Sequence, residues 1–275
     1  MPLGVRWPLP PAGRSGIAWN AASRIVMPLV GALTKVFARF CTNVRYHNVE
    51  ILVKAAQKRP TGVPLITASN HHSCMDDPYL WSMLPLSLLC NNSKMRWALA
   101  AHDICFTSEL HSIFFALGQN VPVIRGEGVY QRGMDYCVDL LNLGKWIHIY
   151  PEGKVNIDPS EFIRLKWGVG RLLAESKLCP IFIPFWHIGM DNVLPNVEPY
   201  RPQLGHVVTI NVGKPIDFSE LKQMMETKRW TATSKRKAFT DVIQERFFLL
   251  RQETEELHRK HLSDLGRHPP STSLL

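Results

Sequence analysis

The sequence predicts a single α/β domain, a mostly parallel or mixed sheet flanked by helices, with a membrane-associating helix at its N-terminus. Three observations predict it. Short apolar runs bounded by turn residues alternate with segments of helical period, the pattern of strands buried between helices. The 275 residues can bury one large core, and no shift in composition marks a second. Residues 1–49 contain no Asp or Glu, and residues 17–40 are largely apolar. Residues 1–45 therefore read as a basic, apolar anchor or targeting segment, 46–262 as the folded domain, and 263–275 as a disordered tail rich in Pro and Ser.

In the N-terminal segment Arg6, Arg14, Arg24, Lys35, Arg39 and Arg45 accompany Trp19, Met27, Leu29, Val30 and Leu33. Arg24 and Pro28 interrupt the apolar stretch, so no uncharged run reaches the roughly 18 residues of a spanning helix. There is no small-residue cleavage site after a clean apolar core, which argues against a secretory signal. An interfacial or half-inserted anchor fits best, basic toward lipid head groups and apolar on the other side. A mitochondrial transit segment shares the acid-poor, basic character. A plain amphipathic helix packed on the domain is the structural alternative.

A helix is expected over 48–58, ended by Pro60-Thr61-Gly62, followed by a strand at 63–67. The turn 69–78 leads into a helix near Tyr79 that stops at Pro85. A strand over 95–101 precedes a helix carrying Leu110, Ile113, Phe114 and Leu117 and ending at Gly118. The strand 121–126 finishes in Arg125-Gly126, a helix spans 129–143, and a strand covers 146–150. Residues 162–175 read as helix, 179–187 as a buried strand or the wall of an apolar channel, 205–213 as strand and 234–262 as a long helix.

The chemistry concentrates in Ser69-Asn70-His71-His72-Ser73-Cys74-Met75-Asp76-Asp77-Pro78. His71 and Asp76 are five positions apart. In a straight helix that spacing sets them about 140° apart, since each residue turns about 100°. They face each other only if the histidine occupies the turn before the helix, which the strand-turn-helix pattern supplies. A neutral imidazole there can take a proton from a hydroxyl near neutral pH. A buried carboxylate would fix its tautomer and stabilise the imidazolium. A substrate hydroxyl can then attack directly, without a serine or cysteine nucleophile. The same residues also fit a structural role: Ser73-x-x-Asp76 is a capping-box pattern, and Asp77-Pro78 suits an N-cap followed by proline. His72 and Asp77 form a second, overlapping pair at the same spacing.

Arg125 and Gly126, at a strand's carboxyl end, suit a phosphate, with a planar donor fork beside approachable backbone. Glu152, Gly153 and Lys154 lie outside another strand's carboxyl end, where ligands of open α/β sheets collect. Glu152 could bind a hydroxyl or support the surroundings of His71, and Lys154 could hold a phosphate. Each of these patterns also occurs in plain surface loops.

The net charge of +9 favours a polyanionic partner. No RNP motif, zinc-finger spacing or basic run with interleaved aromatics occurs, so an anionic membrane surface is favoured over nucleic acid. The six cysteines are scattered without C-x-x-C spacing, which suggests neither a zinc site nor a disulfide framework. Among the eleven histidines, His187, His206, His258 and His261 are isolated or on different elements, and H-E-x-x-H is absent; no metal is expected.

Four blocks occur in order: Asn70-His71-x-Ser73-x-x-Asp76, Gly118 through Arg125-Gly126, Tyr150-Pro151-Glu152-Gly153, and Pro180-Ile181-Phe182-Ile183-Pro184. Together they resemble the four blocks of the glycerolipid acyltransferases. Asp103-Ile104-Cys105-Phe106-Thr107, Gly128-Val129-Tyr130-Gln131, Lys154-Val155-Asn156 and Asp191-Asn192-Val193-Leu194-Pro195-Asn196 narrow the resemblance to the branch that remodels cardiolipin, over nearly the whole chain. The resemblance implies an acyltransferase domain at 46–262 and a phospholipid–lysophospholipid transacylase that needs no cofactor, coenzyme A included. Its implied substrates are phosphatidylcholine, monolysocardiolipin and cardiolipin; its implied place is on inner and outer mitochondrial membranes facing the intermembrane space, with room for membrane complexes.

The resemblance further implies His71 as catalytic base and Asp76 as its partner, with Asn70 and Ser73 as motif support. The Asn-His-x-Ser register selects His71 over His72. Arg125, Gly126, Glu152, Gly153 and Lys154 fall on substrate-binding positions. Where the wider family carries Thr-Arg after Pro-Glu-Gly, this chain has Lys154-Val155, a departure from the glycerol-3-phosphate enzymes. His72 and Tyr150 depart from the narrower pattern beside the proposed base. An acyl-coenzyme A-dependent acyltransferase using the same pair, a non-catalytic lipid-binding scaffold and a lipid hydrolase are the competing expectations.

Overall fold

The computed structural model describes residues 6–267. Helix α1 (Ile17–Cys41) leads through β1 (Asn43–His47) and α2 (Val49–Lys58) to β2 (Leu65–Ser69). Then come α3 (Asp76–Leu80), which tightens into a 3-10 turn at Trp81–Met83, and α4 (Leu86–Leu89). Next are β3 (Arg96–Ala101), α5 (His102–Cys105), α6 (Glu109–Leu117), β4 (Asn120–Val123) and α7 (Arg132–Asn142). The chain continues through β5 (Trp146–Ile149), α8 (Gly168–Glu175), β6 (Ile181–Ile188) and α9 (Met190–Val193). It closes with β7 (Val207–Val212), α10 (Ser219–Thr227) and α11 (Ala232–Asp264).

Among the described residues seven strands form one sheet in the order β1-β7-β6-β2-β5-β3-β4. Every pairing is parallel except β6 with β7. The expected mostly parallel, mixed sheet follows from the connections. Between β2 and β6 each crossover carries a helix, which lets the next strand run in the same direction. β2 is central, with Leu65 opposite both Trp146 and Ile181, and all five of its residues are buried. Alternate residues feed two cores. Ile66, Ala68, Ile147, Phe182 and Trp186 pack with α7, α8 and α11 on one face. Leu65, Trp146, Ile183 and Phe185 pack with α1, α2 and α3 on the other.

The segment 17–40 forms one continuous helix despite Arg24 and Pro28, long and apolar enough to cross a membrane. Its packed face holds small or polar residues, Ser23, Gly31, Thr34 and Ala38 with Met27. This lets it lie close on the domain: a Cβ on Gly31 would meet Leu89 at 3.1 Å. Ile25, Leu29, Leu33, Val36 and Phe40 point outward.

Several boundaries differ from the sequence expectation. The helix expected from Tyr79 opens at Asp76, and Pro78 is its third residue, because Asp77 is drawn into an ion pair with Arg96 and a bond from Trp81 rather than capping. The helix expected from 129 begins at Arg132, since the Gln131 side chain pairs with the main chain of Ile124. The expected helix 162–175 starts at Gly168. Ahead of it Leu165 N donates to Gln244 Oε1 (2.8 Å) and Lys166 N donates to Pro151 O (2.7 Å), holding the chain out of the helix. β1, α4, α9 and α10 were not expected. α11 reaches Asp264, past the expected start of the tail at 263. The rest of that tail beyond 267, and residues 1–5 of the anchor, lie outside the described residues.

Candidate active site

The turn after β2 is clamped from both flanks. The Asn70 side-chain amide donates to His187 O and accepts from His187 N, each at 2.9 Å, extending the pairing of β2 with β6 by one side-chain rung. His187 Nε2 lies 3.0 Å from Asn70 O, and Ser73 Oγ donates to Leu194 O at 2.9 Å. Asn196 Nδ2 donates to His72 O at 2.6 Å. On the other flank His71 N donates to Glu152 Oε1 (3.1 Å), and Asn156 N donates to His71 O (2.6 Å). Both main-chain groups of His71 are thereby held by the loop after β5.

Asp76 is fully buried at the start of α3. Its Oδ2 accepts from His71 Nδ1 at 2.8 Å, His72 N at 2.7 Å and Ser73 N at 3.0 Å, with His187 Nε2 at 3.5 Å. Burial pushes its pKa upward, but His187, His71 and these hydrogen bonds outweigh it and hold the carboxyl below its ordinary value. The structural and catalytic readings of the motif meet on this one oxygen. It makes the backward bond of the capping box to Ser73 N, while Ser73 Oγ accepts from Met75 N at 3.2 Å. The same oxygen occupies Nδ1 of His71, which assigns the proton there and leaves Nε2 as the basic nitrogen.

Tyr150 stacks on the imidazole, with ring centroids 4.1 Å apart and planes at 23°. The His71 side chain stays 20% exposed and lines a cavity of about 580 Å³. The overlapping His72–Asp77 pair does not form. His72 turns toward His187 and Trp186, where burial and then His187 lower its pKa to about 3. Asp77 is engaged by Arg96.

Met134, Ile149 and Leu165 give the cavity a buried apolar wall, while Arg125, Lys154 and Lys166 are exposed cations along it. None of its described lining residues is acidic. Arg125 pairs with Asp103. Gly126 and Gly153 have φ of 90° and 74°, a region that favours glycine and leaves their backbone approachable. Of the two roles the sequence left open for Glu152, the structure matches the support of His71: it is not a lining residue, and its buried carboxyl holds the backbone of His71. Burial raises its pKa to about 7. Lys166 went unnoticed in the sequence, and Asn156, His187 and Asn196 stood out there without any role at the site. Lys166 reaches the site only because 162–167 folds back over Gly153, where an added Cβ would meet Lys166 Cγ at 3.0 Å. A larger cleft of about 810 Å³, bordered by Pro10, Arg24 and Asn92, contains none of these groups. Among the described residues no His, Cys, Asp and Glu cluster suits a metal.

A buried carboxylate behind an imidazole, opening on an apolar cavity with exposed cations, is equipment for taking a proton from a hydroxyl beside an apolar ligand. An acyltransferase family model matches residues 50–187, from α2 to the end of the Asn70–His187 clamp. The chain belongs to the acyltransferase family. Tafazzin of Drosophila melanogaster is 49% identical to it over 94% of this chain and 68% of that protein. N-acylphosphatidylethanolamine synthase of Arabidopsis thaliana is 38% identical over 78% of each. The crystal structure of the 1-acyl-sn-glycerophosphate acyltransferase PlsC from Thermotoga maritima shares the fold, with a TM-score of 0.55 at 14% identity over 85% of this chain and 81% of that one. Within its family the chain is of the tafazzin type along nearly its whole length.

Proposed function

We propose that this acyltransferase is a coenzyme A-independent transacylase that moves a fatty acyl chain from a phospholipid to a lysophospholipid. The observation that carries the reading is the placement of His71: Nδ1 bound to buried Asp76, and the ring set in an apolar cavity with exposed cations. Nε2 removes the proton from the free glycerol hydroxyl of the acceptor. The oxygen attacks the donor's ester carbonyl, forming the new C–O bond and a tetrahedral oxyanion. Collapse breaks the old ester bond, and the imidazolium returns its proton to the departing glycerol oxygen. Asp76 stabilises the imidazolium between these steps. An ester is exchanged for an ester, so the reaction is near thermoneutral and needs no activated donor or cofactor.

Monolysocardiolipin as acceptor, phosphatidylcholine as donor and cardiolipin as product are the lipids we assign. Arg125 and Lys154 hold phosphates, Gly126 and Gly153 let backbone approach them, and Asn70 and Ser73 keep the turn in place. Glu152 positions His71. Residues 1–45 serve as the membrane anchor, supported by the outward apolar side of α1, with 46–262 as the catalytic domain. Mitochondrial membranes facing the intermembrane space are the proposed location.

The test is transfer of label from phosphatidylcholine to monolysocardiolipin in vesicles free of coenzyme A, with wild type beside His71→Ala. Label in cardiolipin with wild type alone supports the reading. Transfer that requires acyl-coenzyme A would assign the coenzyme-dependent class. Label on the amine of phosphatidylethanolamine would assign the reaction named for the Arabidopsis relative. Free fatty acid would mark a hydrolase, and vesicle binding without transfer a scaffold.

A further inference from the structure

Helix α6 is built inside out. Against the protein it buries Ser112 and Ala116, while Leu110, Ile113 and Phe114 are 76%, 53% and 47% exposed. Those three sit at i, i+3 and i+4, which makes them one face. A helix packed on a water-soluble domain turns such a face toward the core. Ile104 in α5, the helix just before it, is 50% exposed and lines the cavity that holds His71.

The neighbouring helix is inverted in the same way. α1 packs beside α6, where Ser23 Oγ donates to Leu117 O at 2.7 Å. It too buries Ser23, Gly31 and Thr34 and exposes Leu29, Leu33 and Val36. Two adjacent helices thus turn their apolar faces outward, and α5, which precedes α6 in the chain, lines the catalytic cavity through Ile104. The exposed cations Arg125, Lys154 and Lys166 along that cavity, in a chain of net charge +9, complement anionic head groups.

We propose that α5 and α6 form a second membrane-docking element, which seats the mouth of the catalytic cavity in an anionic phospholipid leaflet. Acyl chains then pass from the leaflet along Ile104 into the cavity without crossing water. The inference rests on the lipid-transfer reading above. It divides the membrane contact between two elements: α1 and α6 both hold the protein on the leaflet, and α6 also sets the cavity mouth at the right depth.

The test uses the full chain with the double substitutions Leu110→Glu/Phe114→Glu and Leu110→Gln/Phe114→Gln. Both positions are exposed and neither lines the cavity; the Gln pair removes apolar contact without adding charge. Co-sedimentation with phosphatidylcholine vesicles containing an anionic phospholipid is measured beside acyl transfer from those vesicles. Transfer from a short-chain phospholipid dispersed as monomers is measured in parallel. Vesicle binding and vesicle transfer should each fall about tenfold or more for both variants, while monomer transfer stays within about twofold of wild type. Wild-type vesicle binding and transfer by both variants would overturn the docking element alone. So would a wild-type dimer in light scattering that the variants break, because the face would then join two copies of the chain. Absence of monomer transfer in the wild type would instead overturn the transfer reading on which the proposal rests.

Discussion

Replacing Asp76 by Asn keeps the volume and one acceptor oxygen but removes the charge behind His71. The amide oxygen must take the place of Oδ2, because three donors converge there within 3.0 Å. The amide NH2 then falls where Oδ1 has no hydrogen-bond partner, at about 1–3 kcal/mol of stability. The kinetic loss is separate. With Nδ1 and Oδ2 at 2.8 Å, the charge centres lie about 4 Å apart, worth about 4 kcal/mol at an effective dielectric constant near 20. A neutral hydrogen bond retains about 1 kcal/mol of that. The remaining ~3 kcal/mol is the stabilisation of the imidazolium that the transfer step loses, about two orders of magnitude in kcat at ~1.4 kcal/mol per decade. The assay is acyl transfer to a lysophospholipid in vesicles, with thermal unfolding to establish that the variant is folded. The double variant with His71→Ala should be no slower than His71→Ala alone, since Asp76 acts through the imidazole. A folded Asp76→Asn enzyme within about threefold of wild type would refute this coupling.

Tyr150→Phe keeps the ring stacked on His71 and removes a buried hydroxyl without a partner, so activity should hold within about twofold and stability rise by about 1 kcal/mol. Tyr150→Leu loses the aromatic face on the imidazolium and should slow transfer about tenfold; equal rates for the two variants would contradict the stacking role. Glu152 is raised from 4.5 to about 7 by burial, so the folded protein keeps a proton that the unfolded chain releases above pH about 4.5. Its contribution therefore falls as pH rises from about 4.5 to about 7, by up to about 3 kcal/mol. Glu152→Gln, which can still accept from His71 N, should remove that slope from urea midpoints measured across the window and leave the turn intact. Arg96 is buried, donates to Gly118 O at 2.9 Å, pairs with Asp77 and lies over Trp81. Arg96→Gln strands the carboxylate beside the catalytic turn, and calorimetry should show a loss of about 3 kcal/mol.

Legibility in the sequence followed burial on both faces. β2, β5 and β6 are covered on each side, so their residues form mostly apolar runs, broken only by small polar residues or a histidine, that stand out in the sequence. β1 was invisible because its residues Asn43, Val44, Arg45, Tyr46 and His47 are only half-buried, and it owes its existence to pairing with β7 more than 160 positions away. Residues 162–167 misled for the opposite reason. Leu165 has helical spacing with Val169 and Leu172, yet it reaches the core from an irregular segment held by Gln244 and Pro151.

The site divides along the same line. By itself the sequence determined which groups are at hand: an imidazole and a carboxylate at a strand-to-helix turn, cations and glycines after later strands, and an apolar, acid-free N-terminal segment. Residue type and local spacing carry that information, because a turn of ten residues contains both the base and its partner. The Asn-His-x-Ser register pointed to His71, but only the tertiary structure gives the physical reason that the two histidines differ. His71 and His72 have the same spacing to an acid, but Glu152 and Asn156 hold the backbone of His71 so that its ring meets Asp76. Asn196 holds the carbonyl of His72, while its ring lies against Trp186 and His187. Tertiary structure alone also chose, of the two roles open to Glu152, the support of His71, brought Lys166 to Gly153, and turned the apolar face of α6 outward. Each of these depends on where distant segments pack, and local spacing along the chain holds no record of that.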